Sequence, residues 1–176
     1  MDNNKFLNSQ GYTLIEIVIV LGIITILSGF GIAKYNAYNQ QLILKNQAKK
    51  LADVFELTKK KAMSSELIVT PFVTPPTYCT NFIGYQIEIA PLFYKLEYGC
   101  NGVYSTIVQT YDFPTNISAT QGTGIFTFSP LGTGTNLTIN SIRLKNSKID
   151  DINHQCIDIS ISPIGIVNIN ETLISC

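Results

Sequence analysis

The sequence predicts an α+β fold: one long N-terminal helix, apolar in its first half and amphipathic in its second, packed on a mostly antiparallel β-sheet head. Three observations carry that expectation. Residues 12–32 form a run of 21 residues whose one side chain charged at neutral pH is Glu16. Beyond it, apolar and small residues recur at spacings of three and four as far as Ala62, the period of a helix with one buried face. After Pro71 the chain changes to β-branched and aromatic runs broken by Gly, Pro and Asn, the pattern of short strands and turns.

Composition narrows the function classes. The 176 residues are 45% hydrophobic and 14% charged, with a mean hydropathy of +0.21. Globular domains average about 25% charge, so apolar surface must be hidden from water and wholesale disorder is excluded. Twelve basic and twelve acidic side chains cancel, leaving no global field to attract nucleic acid or an anionic membrane. His154 is the only histidine, which excludes chemistry built on several imidazoles. Charge is uneven along the chain. Residues 34–66 carry seven lysines against three carboxylates, whereas residues 67–176 carry four basic groups against seven acidic ones.

The first segment, residues 1–11, reads MDNNKFLNSQG, short and polar. The second, residues 12–33, begins with the apolar run YTLIEIVIVLGIITILSGFGI. As a helix, 21 residues cover about 30 Å, the hydrocarbon thickness of a bilayer. A carboxylate inside such a span costs on the order of 3 kcal/mol on insertion scales. Glu16 therefore either meets a partner or snorkels to the interface four residues from the start of the run.

The order of residues around Gly11 separates these two readings. A short leader ending in Gly11, then Tyr12, Thr13, Leu14, Ile15 and Glu16, then a long apolar helix, resembles the prepilin family of type IV pilins and type II secretion pseudopilins. The resemblance implies cleavage between Gly11 and Tyr12 by a prepilin peptidase on the cytoplasmic side and N-methylation of Tyr12. It also implies that the Glu16 carboxylate meets the N-terminal ammonium of a neighbouring subunit, which neutralises two charges in apolar packing. The span then anchors the chain in the membrane before assembly and forms the core of a helical filament afterwards.

Three features depart from that pattern. The leader carries Lys5 balanced by Asp2, while Lys34, Lys45, Lys49 and Lys50 follow the span, so the positive-inside rule alone orients the helix the other way. Long domains translocate largely regardless of charge, which leaves the motif to set the orientation. Many major pilins carry a proline near the end of this helix, where this chain has Ala33; Gly22, Gly29 and Gly31 offer a looser stretch there. Gly29 and Gly31, or Gly31 and Ala33, also form small-x-small pairs of the kind a signal peptidase cuts, although a signal h-region spans only about 7–15 residues.

Residues 34–66 are expected to continue the helix to about Ser64, with Tyr35, Tyr38, Leu42, Leu44, Ala48, Leu51, Ala52, Phe55 and Ala62 as its apolar positions and its second half packed under a sheet. The run Lys59, Lys60, Lys61 reads as a solvated face near a helix C-terminus. Residues 67–176 form the head, with six or seven strands read from FIGYQIEIA, FYKLEYG, GVYSTIVQTYDF, GIFTFS, NLTINSIRL, CIDISIS and GIVNIN. The GTG triplets at 122–124 and 132–134 read as turns. The stretch from FTFSPLGTGTNLTI to CIDISISPIGIVNI resembles the C-terminal half of minor pseudopilins of the GspH/FimT kind, in which a final hairpin ends at a Gly turn.

Four cysteines, Cys79, Cys100, Cys156 and Cys176, lie in the head and allow three pairings. Cys79 and Cys100 bracket a hairpin turning near Ala90-Pro91, which favours their pairing and leaves Cys156 for Cys176. A zinc site is the competing use, but no CxxC occurs. His154 with Asp150, Asp151 or Asp158 lacks a nucleophile motif such as GxSxG, so the chain does not read as an enzyme. Asp150, Asp151 and Asn153 form no 12-residue calcium loop. Asn116, Asn136 and Asn170 open glycosylation-type sequons that an Asn-rich chain produces by chance. No cofactor and no metal are expected.

These readings converge on a structural subunit of a type IV pilus-like or type II secretion pseudopilus filament. Its expected partners are a prepilin peptidase, other pilin or pseudopilin subunits and the membrane, with nucleic acid disfavoured. The expected location is the cytoplasmic (inner) membrane, single-pass with the head outside the cytoplasm, and then a surface or periplasmic filament. Two alternatives stand beside it: a DNA-binding minor pilin, which would need basic residues where this chain has Gly165, Ile166, Val167 and Asn168, and a secreted or signal-anchored β domain unrelated to filaments.

Overall fold

The computed structural model describes residues 12–65, 79, 81–130, 135 and 141–176, with side chains in 29–33 excepted. The leader with Gly11, the segment holding Pro71, the second GTG triplet and Asn136 lie outside the described residues. By internal contacts the chain divides into two compact units between Tyr38 and Asn39.

Helix α1 runs Leu14–Ser64. It ends where Ser65 turns left-handed at φ 50° and its N–H bonds the Ala62 carbonyl at 3.2 Å, a C-terminal stop of the αL type. The amphipathic segment expected over 34–66 thus closes at Ser64. Within the second unit Leu44, Ala48, Leu51, Phe55 and Ala62 are buried, as their three- and four-residue spacing requires. Tyr35, Tyr38 and Leu42, which belong to the same apolar series in sequence, are exposed.

Among the described residues eight strands follow: β1 (Phe82–Ile89), β2 (Phe93–Cys100), β3 (Val103–Asp112), β4 (Ile117–Gln121), β5 (Gly124–Phe128), β6 (Ser141–Asn146), β7 (Cys156–Ile161) and β8 (Val167–Ile169). They form two four-stranded sheets, ordered β3-β2-β1-β5 and β4-β6-β7-β8, and every strand pairing is antiparallel. Alternation decides which side faces the core: Tyr85, Ile87 and Ile89 are buried on β1, Ile142 and Leu144 on β6, and Ile157, Ile159 and Ile161 on β7. These side chains join the buried face of α1 in one hydrophobic cluster. Phe55, fully buried within it, lies edge-on to Phe126 at 5.1 Å and to Phe128 at 6.1 Å.

Among the described residues there are eight strands, one more than the upper count read from sequence. The unanticipated strand is β4, whose sequence ISATQ holds only Ile117 and Ala119 as apolar residues. Its extended state is imposed by pairing with β6, a tertiary override of weak local preference. Two turns follow from local chemistry. The β1–β2 hairpin closes at the expected place, with the Ala90 N–H on the Phe93 carbonyl at 2.8 Å. The β2–β3 hairpin closes on Asn101-Gly102, both at positive φ (55° and 88°), the two-residue turn that matches strand twist. Gly84 sits at an irregularity in β1 at φ 125°, where a Cβ would lie 2.1 Å from the Phe128 carbonyl oxygen.

Both disulfides join the pairs that the hairpin reading favours. Cys79 is bonded to Cys100 and Cys156 to Cys176, each with Cα atoms 5.4 Å apart. The chain terminus is further held by paired backbone bonds between Cys156 and Ile174 at 2.9 and 3.0 Å.

Candidate processing and assembly site

The first described turn follows directly from T-x-x-E in the sequence. Thr13 precedes the first helical residue, and its Oγ1 accepts a hydrogen bond from the Glu16 N–H at 3.3 Å. This is the N-cap position, with Glu16 at the third helical position, where a carboxylate also suits the positive end of the helix dipole. Tyr12 lies just outside the helix and is 80% exposed. The helix therefore starts at Leu14, two residues past the expected scissile bond. The signal for the Thr13 cap in the sequence is T-x-x-E, the capping-box pattern.

From Leu14 to Ser28 the helix is apolar on every face, and the large aliphatic side chains all face solvent, from Ile17 at 47% to Leu14 at 83% exposed. A helix apolar all round requires burial in protein or lipid. Its aliphatic hydroxyls are already satisfied. Thr25 donates to the Gly22 carbonyl and Ser28 to the Ile24 carbonyl, both at 2.8 Å, so neither needs water. Glu16 is the only charge in this stretch, and among the described residues no cation or donor meets its carboxylate. Among the described residues no helix is long and apolar enough to cross a membrane. The described side chains of this apolar stretch end at Ser28, and the span expected over 12–32 includes residues 29–32, whose side chains lie outside the described set.

The other residues weighed in the sequence are placed elsewhere. His154 Nδ1 lies 2.6 Å from Asp151 Oδ2 on an exposed 3-10 turn, Ile152–His154. That contact, followed by the Asn153 N–H, holds the Asp151 carboxyl below its usual range. Asp151 is thereby engaged as the N-cap of its own turn, and no group of three or more His, Cys, Asp or Glu side chains fit for a metal occurs among the described residues. The disulfides consume all four thiols, which removes the zinc reading. Lys59 reaches the Gly165 carbonyl at 3.5 Å, and Lys60 lies 3.8 Å from Glu56 across one helical turn, so the lysine run is tied to its own chain. The turn at Gly165 presents Ile164 and Ile166, both exposed.

The head also contains a charged group that the sequence did not reveal. Glu97 is 5% exposed on β2. It accepts from the Gln86 side-chain amide of its cross-strand partner and meets Lys95 Nζ at 3.0 Å. Lys95 also pairs with Glu88 at 2.7 Å. The bonds to Glu88 and Glu97 raise the Lys95 ammonium above its ordinary value.

Residues 7–32 match the family described as the prokaryotic N-terminal methylation motif, the same stretch that holds Gly11, Tyr12, the Thr13 cap and Glu16. That motif is consistent with the type IV pilin and pseudopilin family. Comparison with curated proteins and with solved structures gives no match.

Proposed function

We propose that this chain is a structural subunit of a pilin-type filament. It enters the cytoplasmic membrane as a single-pass protein through residues 12–32, with the head outside the cytoplasm. A prepilin peptidase cuts it between Gly11 and Tyr12 and methylates the new amine on Tyr12. It then packs with other pilin or pseudopilin subunits through the apolar helix, and the Glu16 carboxylate meets the N-terminal ammonium of a neighbour. The observation that supports this most is the pairing of an all-round apolar helix with a first-turn carboxylate that meets no partner among the described residues, inside a methylation motif. Burying that carboxylate without a cation would cost several kcal/mol. A positive group delivered by another subunit offsets that cost, and the same contact sets the axial register between subunits.

Nothing in this arrangement calls for catalysis by the chain itself. The Gly165 turn itself exposes Ile164 and Ile166, where a DNA-binding role would need cations. The test is intact mass and N-terminal sequencing of the membrane-fraction protein co-expressed with a prepilin peptidase. A terminus at N-methylated Tyr12 is expected. A terminus beyond Gly31 or Ala33 would make the chain a secreted β domain and remove the role given to Glu16.

A further inference from the structure

Three side-chain amides far apart in sequence converge where α1 enters the head. Asn146, at the end of β6, is fully buried. Its Nδ2 donates to the Gln40 backbone carbonyl at 3.0 Å and to Gln40 Oε1 at 3.3 Å. Its Oδ1 accepts from Asn116 Nδ2 at 2.9 Å and from the Lys148 N–H at 2.9 Å. Asn116 Nδ2 also donates to Gln40 Oε1 at 3.0 Å. Every polar atom of the Asn146 side chain is thus occupied, the condition under which a buried polar network rigidifies its surroundings.

The location is informative. Gln40 is the second residue of the unit that starts at Asn39. Its carbonyl is the acceptor that helix geometry assigns to the N–H of Leu44, four residues on, and among the described residues Leu44 is the first of α1 with no exposed surface. Asn146 therefore holds the acceptor of the first helical bond that leads into the core.

We propose that the Gln40–Asn116–Asn146 cluster is a clamp that sets how far α1 can open from its N-terminal side. Local opening of a helix propagates until a bond is held by tertiary structure. Among the described residues of α1 the first such point is Gln40: residues 34–38 are exposed, Ile43 is only partly buried, and full burial does not begin until Leu44. The clamp lets the N-terminal portion change its surroundings or bend while the helical turns in the core stay closed. This inference does not depend on filament assembly.

Hydrogen–deuterium exchange of the full chain in detergent micelles tests it. In the wild type, protection within 39–50 is expected to rise at the amide of Leu44. Gln40→Met keeps helix propensity and length but removes the side-chain acceptor, and Asn116→Ala removes the second amide. In each, amides 44–47 are expected to exchange at least tenfold faster, moving the onset of protection about one turn toward Ala48, while β6 and β7 keep their wild-type rates. Asn146→Ala removes the centre of the cluster, and Gln40→Met keeps the test informative if that variant does not fold. Asn146→Ala alone also removes the bond to the Gln40 carbonyl, so wild-type exchange at 44–47 in Asn146→Ala, or in both Gln40→Met and Asn116→Ala where Asn146→Ala does not fold, would overturn the clamp. So would a uniform loss of protection across the head, which would make the cluster a general contributor to stability.

Discussion

The Thr13 hydroxyl accepts the Glu16 backbone N–H at 3.3 Å, so the residue that starts α1 and the residue that carries its only N-terminal charge are joined in one turn. The same N–H also donates to the Thr13 carbonyl at 3.1 Å, so Thr13 alone occupies a first-turn donor that has no acceptor four residues back in the helix. It leaves the Glu16 carboxylate without a cation among the described residues, and the helix around it is apolar on all sides.

If that carboxylate meets a neighbour's ammonium, Glu16→Ala retains membrane insertion and the head fold but loses most filament assembly. The readouts are alkaline extraction of membranes for insertion, protease resistance for the head and sheared-filament yield for assembly. Normal filament yield from the variant would remove the pairing argument.

Phe55 has no exposed surface and contacts Phe126 and Phe128 edge-on. Truncation to alanine deletes both aromatic contacts and leaves a cavity between helix and sheet. A cost of about 3–5 kcal/mol is expected, read as a lower urea midpoint by tyrosine near-UV dichroism. Leu57, 40% exposed on the same helix, changes little when replaced by alanine.

Lys95 stands between the half-exposed Glu88 and the buried Glu97. Lys95→Met leaves the Glu97 charge with only the Gln86 amide and is expected to cost roughly 3 kcal/mol, because a buried carboxylate without its cation is poorly solvated. Glu88→Gln removes an interaction nearer to water and is expected to cost under about 1 kcal/mol. Equal costs for the two substitutions, measured by urea titration at neutral pH, would place the weight on the exposed pair.

Burial, then the neighbouring Tyr111 and Asp53, push the Tyr94 phenol up to about 12. Below pH 10 the folded and unfolded chains both hold this proton. Between about 10 and 12 the folded chain keeps it while the unfolded chain loses it, so stability falls as pH rises through that window. Lys95, also raised, contributes stability below the ordinary lysine range and loses it in the same direction. Tyr94→Phe removes the tyrosine part and is expected to flatten the decline in urea midpoint from pH 10 to 12. An unchanged slope would assign the decline to other groups.

Much of this architecture was legible in sequence because it depends on neighbours along the chain. The extent of α1 follows from apolar periodicity and the absence of proline before Pro71. The Cys79–Cys100 pairing follows from a hairpin that turns at Ala90-Pro91. Strand β4 was not legible, since two apolar residues among five do not distinguish a strand from a loop. Tyr35, Tyr38 and Leu42 fit the apolar series of the helix and are nevertheless exposed, because periodicity identifies a stripe but not what it faces.

Residues 12–32 by themselves determined the character of the N-terminal end: a motif, a helix start, an apolar length and a lone carboxylate, all set by spacing within a few turns. Tertiary structure alone decided that Glu97 is buried between Gln86 and Lys95, and that Gln40, Asn116 and Asn146 meet. Gln40 lies 76 residues from Asn116 and 106 from Asn146. Such groups come within hydrogen-bonding reach only after the sheets have fixed their registers, and chain spacing carries no record of that closure.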